Sequence, residues 1–119
     1  MTNPEQIRQE IASEIGENTI LVYGKGTKDA PRCGFTLETI QFFSHYGYPF
    51  EVVDVLDDLP KREVLATDYE WPTLPKVFIA GKFYGDTDIL GPMAESGELQ
   101  KVLADAFGGA APKPTIQLR

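Results

Sequence analysis

Apolar residues near the N-terminus follow a helical spacing before the pattern changes to that of a buried strand. Isoleucines at 7, 11 and 15 place one apolar stripe on a helix. The helix is expected to begin with Asn3 as its N-cap and Pro4 in its first turn, and to end at Gly16. The β-branched and apolar run at 19–23 then predicts the first strand.

Helices and strands continue to alternate through the middle of the chain. A second helix is predicted after Cys33, and it is expected to end near Gly47. Its inward face is expected to consist of Leu37, Ile40, Phe43 and Tyr46. Residues 50–55 predict a second strand, and the acidic, proline-containing stretch 57–60 predicts the start of a third helix.

The C-terminal half predicts a hairpin followed by helical structure. Prolines at 72 and 75 interrupt any helix between the third helix and residues 76–80, which predict a strand. A tight turn at 81–82 leads to a short strand at 83–84, and the last helical region restarts at 96–97. The order helix, β, α, β, α, β, β, α predicts an α/β fold, with a four-stranded mixed sheet and helices on both faces.

Length and composition predict one globular domain. The 119 residues are 42% hydrophobic, which is enough for a single core. We expect residues 1–107 to form this domain, including the N-terminal helix. Residues 108–119 are rich in Gly, Ala and Pro and are expected to form a flexible tail.

Charge and cysteine content narrow the class of protein. The net charge of −7 argues against non-specific binding to nucleic acid. No apolar run is long enough to span a bilayer, and the polar, acidic residues 1–5 do not resemble a secretory signal. A single cysteine excludes an internal disulfide and is typical of a reducing compartment. The cytoplasm is therefore the predicted location, with an organelle form that has lost a transit peptide as the alternative.

The single cysteine, Cys33, lies where the first predicted strand passes through a loop into a helix. Unpaired N–H groups and the positive end of the helix dipole favour a thiolate at such a position. Lys25 and Arg32 add positive charge nearby, and Gly34 leaves access open. The alternative is that Cys33 is an inert, buried small residue. A cysteine at the end of the first strand of such a βαβ unit is also typical of thioredoxin-like redox proteins.

Four short blocks give the chain a family resemblance that covers roughly residues 5–107. They are Lys-Gly-Thr at 25–27, Pro-Arg-Cys-Gly-Phe-Thr at 31–36, Trp-Pro-Thr-Leu-Pro at 71–75 and Gly-Asp-Thr-Asp at 85–88. In order and spacing the chain resembles a monothiol glutaredoxin, a protein of the thioredoxin-like fold. The resemblance implies that the peptide bond between Leu74 and Pro75 is cis.

The same resemblance implies a binding site for glutathione, with Cys33 as the catalytic residue. The implied binding residues are Lys25, Cys33, Phe35, Arg62, Leu74, Pro75, Thr87 and Asp88. Lys25 and Arg62 would hold the glycine carboxylate, and the main chain of Leu74 would pair with the tripeptide. The γ-glutamyl end would lie at Thr87 and Asp88, where helix N–H groups suit a carboxylate. The plainer readings are surface charges for Lys25 and Arg62, a core aromatic for Phe35 and an N-cap for Asp88.

The sequence departs from the family pattern at three positions. Thr36 stands where serine is usual, and Lys76 stands where glutamine is common. Asp86 stands where the family usually has a second glycine. This last change places a carboxylate beside the implied γ-glutamyl site.

Three functions from different classes fit these residues. The resemblance favours a carrier of a [2Fe-2S] cluster in iron–sulfur transfer and iron homeostasis. Cys33 and glutathione would each give one sulfur per subunit to the cluster of a homodimer, with BolA-like and iron–sulfur client proteins as partners. The first alternative is a glutathione-dependent oxidoreductase that uses Cys33, and the second is a non-redox adaptor.

Overall fold

Four strands form one mixed sheet in the computed structural model of the protein, which describes residues 3–109. The strands are β1 (Ile20–Gly24), β2 (Glu51–Asp54), β3 (Lys76–Ile79) and β4 (Lys82–Gly85). They lie in the order β2-β1-β3-β4, with β1 parallel to β2 and antiparallel to β3. The predicted α/β fold with a mixed four-stranded sheet is confirmed.

Five helices complete the described chain, and they cover both faces of the sheet. They are α1 (Pro4–Glu17), α2 (Gly34–Tyr46), α3 (Leu59–Asp68), α4 (Thr87–Ser96) and α5 (Glu98–Ala106). Of the predicted tail, residues 110–119 lie outside the described residues.

Two apolar clusters, one on each face, hold the helices on the sheet. Ile7 and Ile11 of α1 pack with Leu65 of α3 against the face of β1 that carries Leu21 and Tyr23. On the other face, Phe43, Leu90 and Leu103 from α2, α4 and α5 pack against Val22 of β1 and Val77 of β3. Because side chains alternate along a strand, β1 serves both clusters and is buried along its whole length.

A buried charge cluster ties α1 to α3 and to β1. Lys61 of α3 is only 4% exposed, and its ammonium lies 2.8 Å from Glu14 and 3.0 Å from Glu10 of α1. Glu14 also accepts a 2.7 Å hydrogen bond from the hydroxyl of Tyr23. A buried ammonium needs such partners, since burial otherwise disfavours its charge. The cluster therefore fixes the position of α3, which also carries Arg62.

Two local predictions differ from the structure, each for an identifiable reason. Helix α1 continues past Gly16 to Glu17, because the side chain of Asn18 donates to the carbonyl of Glu14 at 2.9 Å and caps the last turn. In α2 the predicted inward residue Leu37 is 43% exposed. Two threonines, Thr36 and Thr39, occupy the buried face beside Phe43 instead.

Other boundaries agree closely with the sequence. Asn3 caps α1 through a reciprocal pair of bonds with Gln6, as its capping position predicts. Gly47 ends α2 in the left-handed region, and Gly97 separates α4 from α5 in the same conformation. The peptide bond between Leu74 and Pro75 is cis, as the family resemblance implies.

Glu14→Gln tests the charge cluster. The variant removes the carboxylate that Lys61 approaches most closely, so we expect the free energy of unfolding to fall by about 1–3 kcal/mol. Glu10→Gln is the matched control. Glu10 is 59% exposed, and its loss should change stability by less than about 1 kcal/mol. Urea denaturation at neutral pH measures both, and equal effects of the two variants would contradict the assigned role of Glu14.

Candidate functional site

Cys33 is the N-cap of α2, and its sulfur faces the first turn of that helix. The hydroxyl of Thr36 donates to Sγ of Cys33 across 3.8 Å, and the same oxygen accepts a 3.0 Å hydrogen bond from the backbone N–H of Lys25. The cysteine is partly buried. A chain of hydrogen bonds thus runs from the end of β1 to the sulfur.

These surroundings stabilise the thiolate form of Cys33. Desolvation by burial raises the pKa of the thiol, but hydrogen bonds from the backbone and hydroxyl of Thr36, from the backbone of Phe35 and the charge of Lys25 all lower it. The net result is a pKa below the usual value. This agrees with the sequence-based expectation for a cysteine at a helix N-terminus.

The loop that carries Cys33 is fixed to the sheet by a carboxylate. Asp54, the last residue of β2, accepts bonds of 2.9 Å from the backbone N–H groups of Gly26 and Leu56. Those N–H groups lower the pKa of Asp54, and the positive charge of Arg32 lowers it further. Burial raises the pKa, but by less, so the net shift is downward. Within the loop, the backbone N–H of Arg32 donates to the carbonyl of Lys25 at 2.8 Å. The loop before Cys33 is therefore fixed near its start, at Gly26, and near its end, at Arg32.

Gly24 allows α2 to approach β1 closely enough to form these bonds. A Cβ atom at Gly24 would lie only 2.8 Å from Cγ2 of Thr36, a distance that real Cβ atoms do not adopt. Thr36 is fully buried against this point. Its hydroxyl is consequently held between Lys25 and Cys33.

A groove of about 410 Å³ lies beside the start of α2. Its lining residues are Lys25, Phe35, Arg62, Pro72, Thr73, Leu74, Pro75, Asp86, Thr87 and Asp88. It thus contains every predicted glutathione-binding residue except Cys33, whose sulfur turns toward Thr36. The groove has the size of a small-molecule site, and Phe35 is 69% exposed at its edge. The role of these residues as glutathione ligands stays a prediction.

Opposite charges enter the groove from different elements. Lys25 follows β1 and Arg62 lies on α3, whereas Asp86 and Asp88 follow β4. Because β3 lies between β1 and β4, Lys25 and the two carboxylates come from opposite sides of β3. Such an arrangement suits a ligand with a carboxylate toward one side and an ammonium toward the other.

The turn from β4 into α4 differs from the sequence-based expectation. Gly85 has the positive φ of 81°, while Asp86 is extended with φ −140°. Asp86 rather than Asp88 is the N-cap, and its carboxylate accepts a 2.9 Å bond from the backbone N–H of Asp88. The left-handed conformation falls one residue earlier, so Asp86 is tolerated without backbone strain.

Two of the predicted ligands are already hydrogen-bonded within the protein. The guanidinium of Arg62 donates to the carbonyl of Leu56 at 3.0 Å, which orients the side chain on α3. The hydroxyl of Thr87 donates to Glu38 of α2 at 2.9 Å, and this bond joins the start of α4 to α2. Both side chains are thereby positioned at the groove.

The groove includes residues to which sequence reasoning gave no ligand role. Pro72, which the sequence analysis treats as a helix breaker, lines the groove together with Thr73 and Asp86. The whole block 71–75 could have indicated this, because its breaks put a non-helical segment directly before β3. Behind the same segment, Lys76 is buried, and its ammonium donates to the carbonyl of Thr73 at 2.7 Å.

Comparisons with known proteins agree with this architecture. The Glutaredoxin family model matches residues 20–84. The chain is 40% identical over 95 residues to monothiol glutaredoxin-S4, mitochondrial, of Oryza sativa, covering 80% of this chain and 51% of that protein. It is 39% identical over 98 residues to glutaredoxin 4 of Buchnera aphidicola, covering 82% of this chain and 92% of that protein.

A solved structure with the same fold is the buckwheat glutaredoxin–glutathione complex. It superposes with a TM-score of 0.80 over 90% of this chain and 96% of its own, at 20% identity. The fold and the family match define a thioredoxin-like α/β protein, and this chain has a single cysteine. The chain belongs to the glutaredoxin family, and the relatives it resembles include proteins named monothiol glutaredoxin and glutaredoxin 4. Within residues 3–109, none of the helices combines the length and apolar character needed to cross a membrane.

Thr36→Val tests the hydrogen-bond chain to Cys33. Valine keeps the shape and the methyl contact with Gly24 but removes the hydroxyl, so we expect the pKa of Cys33 to rise toward about 8.5. The rate of iodoacetamide alkylation against pH measures this value. Thr36→Ser is the matched control, since it keeps the hydroxyl. Parent and Val proteins that titrate alike, or a parent inflection at or above the free-thiol value, would contradict the assignment.

Proposed function

We propose that this protein binds glutathione in the groove and uses Cys33 with the glutathione sulfur to carry a [2Fe-2S] cluster between two subunits. The proposed task is delivery of the cluster to iron–sulfur client proteins, with BolA-like proteins as partners in iron homeostasis. This is the function implied by the monothiol glutaredoxin resemblance. Glutathione supplies a thiol, two carboxylates and an ammonium to the site.

The observation that carries the proposal is the combination of a charged groove with a stabilised thiolate. Lys25 and Arg62 offer cations for the glycine carboxylate, and Asp88 offers a counter-charge for the γ-glutamyl ammonium. Residues 72–75 line the groove directly before β3, where their main chain could pair with a peptide. The glutathione of the buckwheat complex belongs to a protein of the same fold, which supports a similar ligand here.

The count of sulfur ligands supports a shared cluster over one held within a single chain. Residues 3–109 contain no group of three or more His, Cys, Asp or Glu side chains that could hold a metal ion. A [2Fe-2S] cluster needs four ligands, and each chain has one cysteine. Two chains and two glutathione molecules supply four sulfurs.

The lowered pKa of Cys33 also favours a second function, the reduction of glutathione mixed disulfides. The Cys33 thiolate would attack the glutathione sulfur and release the client thiolate, leaving a disulfide between Cys33 and glutathione. A second glutathione thiolate would then release Cys33 and form glutathione disulfide. A glutathione-dependent assay on a glutathionylated peptide distinguishes this function from cluster carriage.

Cys33→Ser tests cluster carriage. We expect anaerobic reconstitution of the parent with iron, sulfide and glutathione to give a coloured dimer, measured by ultraviolet–visible spectroscopy and size exclusion. The Ser variant should give none, because a hydroxyl is a poor substitute for the thiolate that such clusters require. Leaving glutathione out of the parent reaction should have the same result. A stable cluster in Cys33→Ser would refute the scheme.

Asp86→Gly tests the carboxylate beside the proposed γ-glutamyl site. In the free protein the carboxylate of Asp86 accepts a hydrogen bond from the backbone N–H of Asp88. That N–H is a donor suited to the carboxylate of the ligand. Removal of this charge should tighten glutathione by about 1 kcal/mol, more at low salt, and lengthen the lifetime of the cluster-bound dimer. Calorimetric titration measures the first effect.

Asp86→Asn separates the two causes of that effect. Asparagine still caps α4 but carries no charge, so a gain shared by both variants identifies repulsion. A gain in affinity that is limited to Asp86→Gly shows instead that the side chain at position 86 competes with the ligand for the N–H of Asp88. If the Gly variant binds glutathione no better than the parent, Asp86 does not oppose the ligand.

A further inference from the structure

We propose that Lys76 is a buried cation behind the groove wall that strengthens binding of the carboxylate end of the ligand and makes that binding depend on pH. The inference rests on the proposed binding of glutathione in the groove. Lys76 does not line the groove, so its role is that of a positioning and charge-supplying residue. The family pattern commonly has glutamine here, which makes the charge a property of this chain.

The ammonium of Lys76 is buried with fewer partners than a charge ordinarily has. Lys76 is 1% exposed, and its hydrogen-bond acceptor is the carbonyl of Thr73 at 2.7 Å. Among residues 3–109 no carboxylate lies within ion-pair distance of it. Lys61, the other buried lysine of the described chain, lies within 3.0 Å of two glutamates. An ammonium has three donors, so Lys76 lacks the counter-charge that Lys61 possesses.

The charged side chain that acts on Lys76, that of Arg62, has the same sign. Desolvation by burial and the positive charge of Arg62 lower the pKa of Lys76 to about 8. Arg62 and Thr73 both line the groove, so the ammonium lies behind a wall to which an anionic ligand binds. A carboxylate between Lys25 and Arg62 would offset the repulsion and favour protonated Lys76. By reciprocity, protonated Lys76 favours the carboxylate.

Other titratable groups around Lys76 define the controls. Tyr23 is its register partner on β1, and burial with the Glu14 bond raises the pKa of that phenol, so it stays protonated. On the groove side, the charges are those of Lys25, Asp86 and Asp88. The ammonium of the ligand also titrates in alkaline solution. These groups are the same in the parent and in Lys76→Gln, so their effects on the pH dependence cancel when the two proteins are compared with one ligand.

Calorimetric titration with S-methylglutathione, which cannot form disulfides, tests the proposal. At about pH 7 the parent should bind about fivefold more tightly than Lys76→Gln, because only the parent holds the buried charge. As the pH rises above about 8, the affinity of the parent should fall toward that of the variant. Lys82→Gln is the matched control, since it removes one exposed positive charge from the neighbouring strand. It should leave the affinity and its pH profile unchanged.

A ligand with the glycine carboxylate converted to an amide locates the interaction. The parent and Lys76→Gln should bind this ligand with equal affinity, because the group that senses the charge is gone. Unfolding in urea provides a readout without ligand. Since the folded pKa lies below the ordinary value of 10.5, the unfolded chain binds more protons between about pH 8 and 10.5. Stability of the parent relative to Lys76→Gln should therefore rise with pH across this window.

Equal binding of S-methylglutathione by the parent and Lys76→Gln, both at about pH 7 and above about pH 8, would overturn the proposal and leave the proposed function intact. Absence of binding by the parent itself would overturn both. Should the variant not fold, nuclear magnetic resonance of the Lys76 Cε atom in the parent decides the question. Its titration should move to higher pH when the ligand is bound, and an unchanged titration would overturn the proposal.

Discussion

The close approach of Gly24 to Thr36 is the constraint on which the thiol site depends. It brings the end of the central strand and the first turn of α2 together with no room for a Cβ atom. Only at that separation can one hydroxyl accept from the N–H of Lys25 and donate to the sulfur of Cys33. The position of α2 against β1 and the contribution of Thr36 to the lowered pKa of Cys33 thus depend on one steric fit.

The groove partly satisfies its own charges in the free protein. Asp86 accepts from the first turn of α4, and Arg62 donates to the carbonyl of Leu56. Each internal bond keeps a polar group from being left without a partner, and each orients a group that an incoming ligand would approach. Behind the groove, Lys76 bonds to a carbonyl but has no counter-ion among the described residues. On the acidic side of the groove, Asp86 therefore already has a hydrogen-bond donor. On the basic side, the positive charges still lack an anion within residues 3–109.

Much of the fold was predictable because its signals are local. The isoleucine stripe of α1 and the β-branched run of β1 each depend on a few neighbouring residues. The buried face of α2 was not predictable in this way. Thr36 and Thr39 appear polar in the sequence, but their hydroxyls bond to Cys33 and to the carbonyl of Phe35, which permits burial.

The candidate site was likewise predictable where its signals are local and unpredictable where they depend on the fold. The short blocks of the sequence identified the groove residues, because each block has an unusual composition. The positions of Asp86 and Lys76 required the structure. Whether a carboxylate caps a helix, or an amine points inward, depends on where the left-handed residue falls and on which face of β3 packs against α3.

The buried cluster around Lys61 bears on how small a working fragment of this protein can be. The family match spans residues 20–84, but Glu10 and Glu14, which neutralise Lys61, come from the helix before it. A fragment trimmed to the match would keep the lysine and lose both carboxylates, and the sheet face that carries Leu21 and Tyr23 would lose its cover from α1. The helix that contributes no residue to the groove is thus part of the smallest unit that can hold α3, and with it Arg62, in place.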